Sequence, residues 1–231
     1  MKSKQNNIND SYQIAIDGPA GSGKSTIAKL LAEKLEILYV DSGAMYRALT
    51  LYLIEKRLTY CTDRILKKHL KKITIDFIKK QMKQVVLLNG KDVSEKVRTT
   101  EVNKLVSEIS SRKPVRLEMV KRQRELSSKK SVVMDGRDIG TTVFKNADLK
   151  IYLTASPLIR AKRRQKDLKA ISEKIALSTL ERQIIDRDNF DSSRLISPLC
   201  KAQDAVVIDS SKLNITQVLN EIMFFVPIRA F

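Results

Sequence analysis

Eight consecutive residues, Gly18-Pro19-Ala20-Gly21-Ser22-Gly23-Lys24-Ser25, have the types and spacing to hold a polyphosphate. They read G-x-x-x-x-G-K-[ST], a loop in which successive backbone N–H groups at a helix N-terminus meet a dense anion. Its glycines let the main chain approach closely and permit positive φ. Lys24 is the expected contact to the β- and γ-phosphates, and the Ser25 hydroxyl is the expected ligand of the Mg²⁺ that accompanies ATP. The nucleotide-contacting stretch is expected to run on to Thr26. A chance Gly-rich turn would lack the surroundings. Here residues 12–17 form an apolar run suited to a buried strand, and residues 26–35 carry apolar side chains at helical spacing.

Arginines supply the next candidates, because the planar guanidinium fork matches phosphate. Ser156 and Pro157 predict a helix start, after which Arg160, Arg163 and Arg164 fall on one face. A second helix is predicted from about residue 178, with Arg187, Asp191 and Arg194 at i, i+4 and i+7 along one stripe. Three guanidiniums on one face repel unless an anion sits between them; a basic surface stripe is the alternative, since Lys162, Lys166 and Lys169 are nearby.

The elements that must position these groups are legible as five short apolar runs: residues 14–17, 37–41, 132–135, 151–154 and 205–209. Continuous apolar runs separated by helical stretches predict a parallel sheet covered on both faces. Ligands of such sheets bind beyond the carboxyl ends of the strands. Asp17, Asp41, Asp135 and Asp209 close four of the runs, which places them at that rim. Residues 84–97, with Asn89-Gly90 in the middle, read as a β-hairpin, since a type I′ turn needs positive φ at both central positions. Residues 73–77 alternate and are expected to pair as a third strand. Residues 215–225 predict a last amphipathic helix.

The chain of 231 residues suits one domain with insertions. Its net charge of +18 favours anionic partners, either nucleic acid or small phosphorylated substrates. Lysine pairs such as Lys67-Lys68 and Lys129-Lys130 read as solvated faces. Aromatic content is only 5%, and without stacking motifs a nucleic-acid-binding ATPase is the weaker reading. Two scattered cysteines, Cys61 and Cys200, and one histidine, His69, support neither a disulfide framework nor a zinc site. No apolar stretch approaches the ~20 residues of a membrane span, and the polar first ten residues lack a secretory core. A cytoplasmic location is expected. A GTPase would carry N-K-x-D, which is absent, so a small phosphotransferase is the reading that remains.

Further segments carry a resemblance. Asp41-Ser42-Gly43-Ala44-Met45-Tyr46-Arg47 matches D-S-G-x-x-Y-R, and Asp135-Gly136-Arg137-Asp138-Ile139-Gly140-Thr141 matches D-G-R-D-x-G-T. Arg187-Asp188, Asp191 and Arg194, followed by Pro198-Leu199, match R-D-x-x-D-x-x-R-x-x-x-P-L. With the inserted hairpin, these motifs in this order resemble the bacterial cytidylate kinases, over about residues 14–210.

The resemblance implies an α/β fold of P-loop NTPase type: a five-stranded parallel sheet flanked by helices, an inserted small antiparallel subdomain and a helical lid. The corresponding division is a single domain over 1–231. Its core covers about 12–60, 100–155 and 200–231, its nucleotide-binding insertion about 61–99, and its lid about 156–185. The resemblance further implies Mg²⁺-ATP as donor and CMP or dCMP as acceptor, with no nucleic-acid or membrane partner and a monomeric enzyme. Arg47, Arg137 and Arg194 are the implied clamps on the acceptor phosphate. Asp138 and Arg116 are implied to read cytosine, an acceptor beside a donor, which suits the N4 amino group and the ring nitrogen. An internal salt bridge between Asp138 and Arg137 is the alternative. Ser42 and Ser107 are implied contacts to the base, and Asp191 with Arg187 the pair on the ribose. Lys24, Arg137, Arg194 and the three lid arginines are the implied catalytic set. Either Asp17 or Asp135 would support the Mg²⁺.

Overall fold

Strand β1 (Gln13–Asp17) divides its side chains between two cores, and this alternation sets the architecture. Ala15 packs with the cluster of Met45, Leu49 and Val115, whereas Ile14 and Ile16 pack on the opposite face with Ile27, Leu31 and Ile222. Successive side chains of a strand point to opposite faces, so a strand apolar at every position must be covered on both. The computed structural model describes residues 11–80, 83–128, 130–169 and 175–226. The polar first ten residues, Lys129 of the expected lysine pair and part of the expected lid lie outside the described residues.

The remaining strands of the main sheet are β2 (Leu38–Asp41), β6 (Val132–Gly136), β7 (Leu149–Thr154) and β8 (Val206–Asp209). Their order is β2-β6-β1-β7-β8, and every neighbouring pair is parallel. All five apolar runs read from the sequence are therefore strands of one sheet. The register aligns their carboxyl ends: Asp41 pairs with Asp135, Asp17 with Gly136, and Thr154 with Asp209.

Helices α1 (Lys24–Lys34) and α8 (Ile215–Phe225) cover one face, and α8 begins with the reciprocal Asn214–Gln217 capping box. The other face is covered by α2 (Ser42–Glu55), α4 (Thr100–Ser111) and α5 (Lys113–Ser127). Between α2 and α4 lie α3 (Asp63–Leu70) and a small antiparallel sheet of β3 (Ile75–Lys80), β4 (Lys83–Leu88) and β5 (Lys91–Asp92). Asn89 and Gly90 both have positive φ at the turn, as the Asn-Gly signal requires.

The hairpin differs from expectation in its second arm, which pairs only over Lys91–Asp92. Ser94 Oγ accepts from the Val86 N–H at 3.0 Å, in place of a ladder carbonyl, and Val93 and Val97 turn into the core. The third strand starts at Ile75 rather than residue 73. His69, the one histidine, meets the Tyr52 hydroxyl at 2.7 Å through Nδ1.

After β7 the chain forms α6 (Pro157–Lys169) and α7 (Leu177–Ser192). The Ser156 hydroxyl accepts from the Ile159 N–H at 3.4 Å at the predicted start of α6. Helix α7 stops at Ser192, so Arg194 lies past its end rather than on its stripe. No described helix is long and apolar enough to cross a membrane.

Candidate active site

The loop between β1 and α1 is locked by the strand beside it. Gly18 has φ of 147°, and a Cβ there would lie 2.0 Å from the Leu153 carbonyl oxygen of β7. Gly23, with φ of 97°, precedes α1 in a left-handed conformation that side-chain-bearing residues avoid. Lys24 folds across the loop, its Nζ donating to the Pro19 carbonyl at 2.7 Å and to Ser22 Oγ at 3.3 Å. Burial first, then Arg137, pushes the Lys24 pKa well below its ordinary value, while Asp135 and Asp17 oppose that shift. A lysine so placed gains from any phosphate that replaces its two neutral acceptors.

Ser25 Oγ donates to Asp135 Oδ2 at 2.8 Å, and the Tyr39 hydroxyl donates to Asp135 Oδ1 at 2.8 Å. Burial, reinforced by Asp41, raises the Asp135 pKa to about 6. Asp17 is engaged differently: its two oxygens accept from the N–H groups of Ile139 at 2.8 Å and Gly140 at 2.7 Å. Burial lifts its pKa to about 7. A hydroxyl and a carboxylate in contact are donors of the kind Mg²⁺ takes beside substrate phosphates. Of the two candidate carboxylates, only Asp135 touches Ser25.

Opposite the loop, arginines converge. Asp191, 1% exposed, accepts from Arg137 Nε at 3.0 Å and from Arg194 Nη2. Arg187 leaves its Nε sealed from solvent without an acceptor. Its pKa is pushed down to about 9, chiefly by burial and then by Arg137 and Arg47. Arg47 is lowered as well, by burial and by Arg137 and Arg98. Of the four guanidiniums at 47, 137, 187 and 194, Arg137 and Arg194 bond the buried Asp191 carboxylate, Arg187 feels its charge, and Arg47 is favoured by Asp41 and Asp135 instead. Lys24 feels both Arg137 and Arg187, which sets this cluster against the phosphate loop.

Asp191 and Arg187, expected together on the ribose, are not hydrogen-bonded to each other; Asp191 is taken by two other arginines. Because α7 ends at Ser192, Arg194 folds back onto Asp191 while Arg137 arrives from the end of β6, and the two occupy both carboxylate oxygens. Ser110, which sequence reasoning passed over, receives Arg194 Nη2 at 3.3 Å. Ser107, the expected contact, lies one turn earlier and offers its carbonyl to Ser110 Oγ at 3.0 Å. Helical spacing on α4 was the signal that could have nominated Ser110.

Beside the cluster, Arg116 and Asp138 form an ion pair, with side chains 2% and 4% exposed. The alternative pairing of Asp138 with Arg137 is not made. The Arg116 guanidinium stands over the Tyr46 ring, 4.9 Å from its centroid, and its Nε has no acceptor. Ser42 Oγ donates to the Asp135 carbonyl at 2.6 Å, in room that exists because residue 136 is glycine; a Cβ there would lie 2.6 Å from that hydroxyl.

The three arginines of α6 do not share a face awaiting an anion. Arg160 is buried, and its Nη1 donates to Asp188 Oδ2 at 2.5 Å and to the Ala20 carbonyl at 3.0 Å. Asp188 also accepts from the Ala20 N–H at 3.3 Å. Arg163 donates to the carbonyls of Ser22 at 3.2 Å and Ser210 at 2.7 Å, while Arg164 is exposed. Protein acceptors disperse the charge that the sequence pattern assigns to a ligand. Asp188, Ser210 and Tyr39 brace the loop and its partners, and only Asp188 stood in a recognised motif.

The comparisons agree with this geometry. The family model for cytidylate kinase matches residues 14–227. A cytidylate kinase of Desulforamulus reducens is 47% identical over 213 residues, covering 92% of this chain and 96% of its own. One from Ligilactobacillus salivarius is 46% identical over 211 residues, covering 91% and 94%. Among solved structures, an uncharacterized protein from Eubacterium ventriosum superposes with a TM-score of 0.51 at 12% identity, over 94% of this chain and 98% of that one, a likeness of fold alone. With identity sustained over nine-tenths of its length and every quoted motif inside the matched span, the chain belongs to the cytidylate kinase family.

Proposed function

We propose that the protein transfers the γ-phosphoryl group of ATP to the 5′-phosphate of CMP or dCMP, forming CDP or dCDP and ADP. The observation that carries this reading is the four-guanidinium cluster facing the phosphate loop. It is a site for a second, separate phosphate, which a simple ATPase has no need of. The buried Arg116–Asp138 pair beside it supplies the donor and acceptor that cytosine requires.

In the reaction an oxygen of the acceptor 5′-phosphate forms a bond to the γ-phosphorus as the bond to the β,γ-bridging oxygen breaks. The acceptor oxygen is already anionic near neutral pH, so no protein base is needed. Catalysis is positioning plus charge stabilisation. Lys24 exchanges the Pro19 carbonyl for the β- and γ-phosphates, and Arg47, Arg137 and Arg194 hold the acceptor phosphate. Arg187, with its Nε free and its charge opposed by neighbours, gains most from an incoming anion. Ser25 and Asp135 would hold Mg²⁺, which when bound neutralises charge on the β- and γ-phosphate oxygens. We read residues of about 61–99 as the part that presents the acceptor and about 156–185 as the part that covers the triphosphate; closure over both excludes water and suppresses hydrolysis.

The test is direct. Purified protein with Mg²⁺ and ATP is given CMP, dCMP, UMP and AMP in turn, with ADP release and the diphosphate product both quantified. CDP or dCDP should form fastest. ADP release without either product would overturn the proposal.

A further inference from the structure

Asp138 stands at the head of an unusual turn, and that turn is held from two sides. Residues Ile139–Val143 form a π-helical turn, in which the N–H groups of Thr142 and Val143 both reach the Asp138 carbonyl, at 2.8 and 3.2 Å. Such turns are rare and concentrate at functional sites. On one side the Asp17 carboxylate takes the Ile139 and Gly140 amides. On the other, Arg124 of α5 donates from Nε to the Val143 carbonyl at 3.0 Å and from Nη2 to the Thr142 carbonyl at 2.7 Å.

Arg124 is not otherwise committed. It lies on the rim of an open groove with Leu117, Val120, Lys145 and Ile196, and it makes no salt bridge among the described residues, although Glu125 is its sequence neighbour. Two turns back along the same helix is Arg116, the partner of the Asp138 side chain. One helix therefore grips Asp138 twice. Arg116 holds its carboxylate directly. Arg124 holds the Thr142 carbonyl, whose peptide unit sends the Val143 N–H to the Asp138 carbonyl, and the Val143 carbonyl, whose peptide unit sends the Phe144 N–H to the Ile139 carbonyl. The fork geometry of the guanidinium suits two adjacent carbonyls, which a single ammonium serves less well.

We propose that Arg124 is a positioning residue for base selection: it sets the orientation of Asp138 by clamping the 139–143 turn, without touching substrate. This rests on the reading of Asp138 as the group that recognises cytosine. Two successive peptide planes, each held at its carbonyl, cannot rotate freely, so the carboxylate direction is fixed before the base arrives. Loss of the clamp lets the turn sample other conformations, and the cost falls on the acceptor base rather than on phosphoryl transfer.

The experiment compares Arg124→Ala, Arg124→Lys and Asp138→Asn with the wild type, measuring kcat and KM for CMP, UMP and ATP, together with amide hydrogen exchange at Thr142 and Val143. Arg124→Ala should raise KM for CMP about tenfold, narrow the CMP-over-UMP preference, and leave kcat and the KM for ATP within about twofold. Exchange at both amides should quicken, and Arg124→Lys should recover part of the preference. If Asp138→Asn loses the preference while Arg124→Ala keeps it, the inference fails and the base-reading role stands. Should neither variant change the preference, the role of Asp138 fails first and takes the inference with it. A fall in kcat and ATP affinity alongside a lower melting temperature would make Arg124 merely structural. If Arg124→Ala does not fold, the same criteria apply to Arg124→Lys, and unchanged selectivity and exchange in that variant would overturn the proposal.

Discussion

Arg116 and Asp138 make their ion pair almost wholly out of water, and the Tyr46 ring covers the guanidinium. Burying two charges costs several kcal/mol per ion before their attraction is counted, so such a pair adds little net stability. Its retention points to use. Asp138→Asn, which keeps shape and removes charge, should lower the ratio of kcat/KM for CMP to that for UMP by about tenfold or more. Kinetics with the two acceptors under one ATP concentration checks this. An unchanged ratio would remove Asp138 from base reading.

Lys24 is held by two neutral acceptors, the Pro19 carbonyl and Ser22 Oγ. Neither is a salt bridge, so Lys24→Ala breaks no charge pair in the fold. The expected outcome is a fall in turnover of about a hundredfold or more, with melting temperature nearly kept. Wild-type turnover in that variant would refute the role.

Asp17 links the fold to pH. Its pKa is raised from 3.8 to about 7, chiefly by burial. The folded state thus binds the proton more tightly than the unfolded chain, and stability from this group is fully present below about pH 4 and is lost as pH rises to about 7. Above that the effect is flat. Urea unfolding at pH 4.5 and 7.5 should show a drop with rising pH for wild type, relative to Asp17→Asn, which has nothing to titrate. Parallel pH dependences for the two proteins would contradict the assignment.

The arginines of α6 should separate sharply on substitution. Arg160 ties the phosphate loop to α7 through Ala20 and Asp188, whereas Arg164 is exposed. Breaking the buried pair by Arg160→Ala should cost roughly 3–5 kcal/mol and raise the KM for ATP. Arg164→Ala should leave stability within about 0.5 kcal/mol. Denaturant melts and ATP titrations of both variants decide it; equal effects would mean the strut has no special role.

Local pattern carries far in this chain. The five apolar runs, the Asn-Gly turn and the 215–225 helix needed only alternation, turn chemistry and helical spacing, and each stands where those signals put it. The phosphate loop was legible for the same reason: its glycines and its lysine act through backbone within a few residues. Pairings across the sheet were not. Ser25 with Asp135 spans 110 positions, Arg116 with Asp138 joins two elements, and both depend on how a helix stands against a strand end. Sequence left Asp17 and Asp135 as equal candidates for supporting a Mg²⁺; tertiary structure alone brought Asp135 to Ser25, and spent Asp17 on backbone amides. It likewise gave Asp191 the guanidiniums of Arg137 and Arg194 as partners, because a helix that stops at Ser192 lets the chain turn back. Residue type and spacing determine which charges exist and which face of an element bears them. Where several partners compete for one carboxylate, the outcome depends on distances between distant parts of the chain, which only the folded packing supplies.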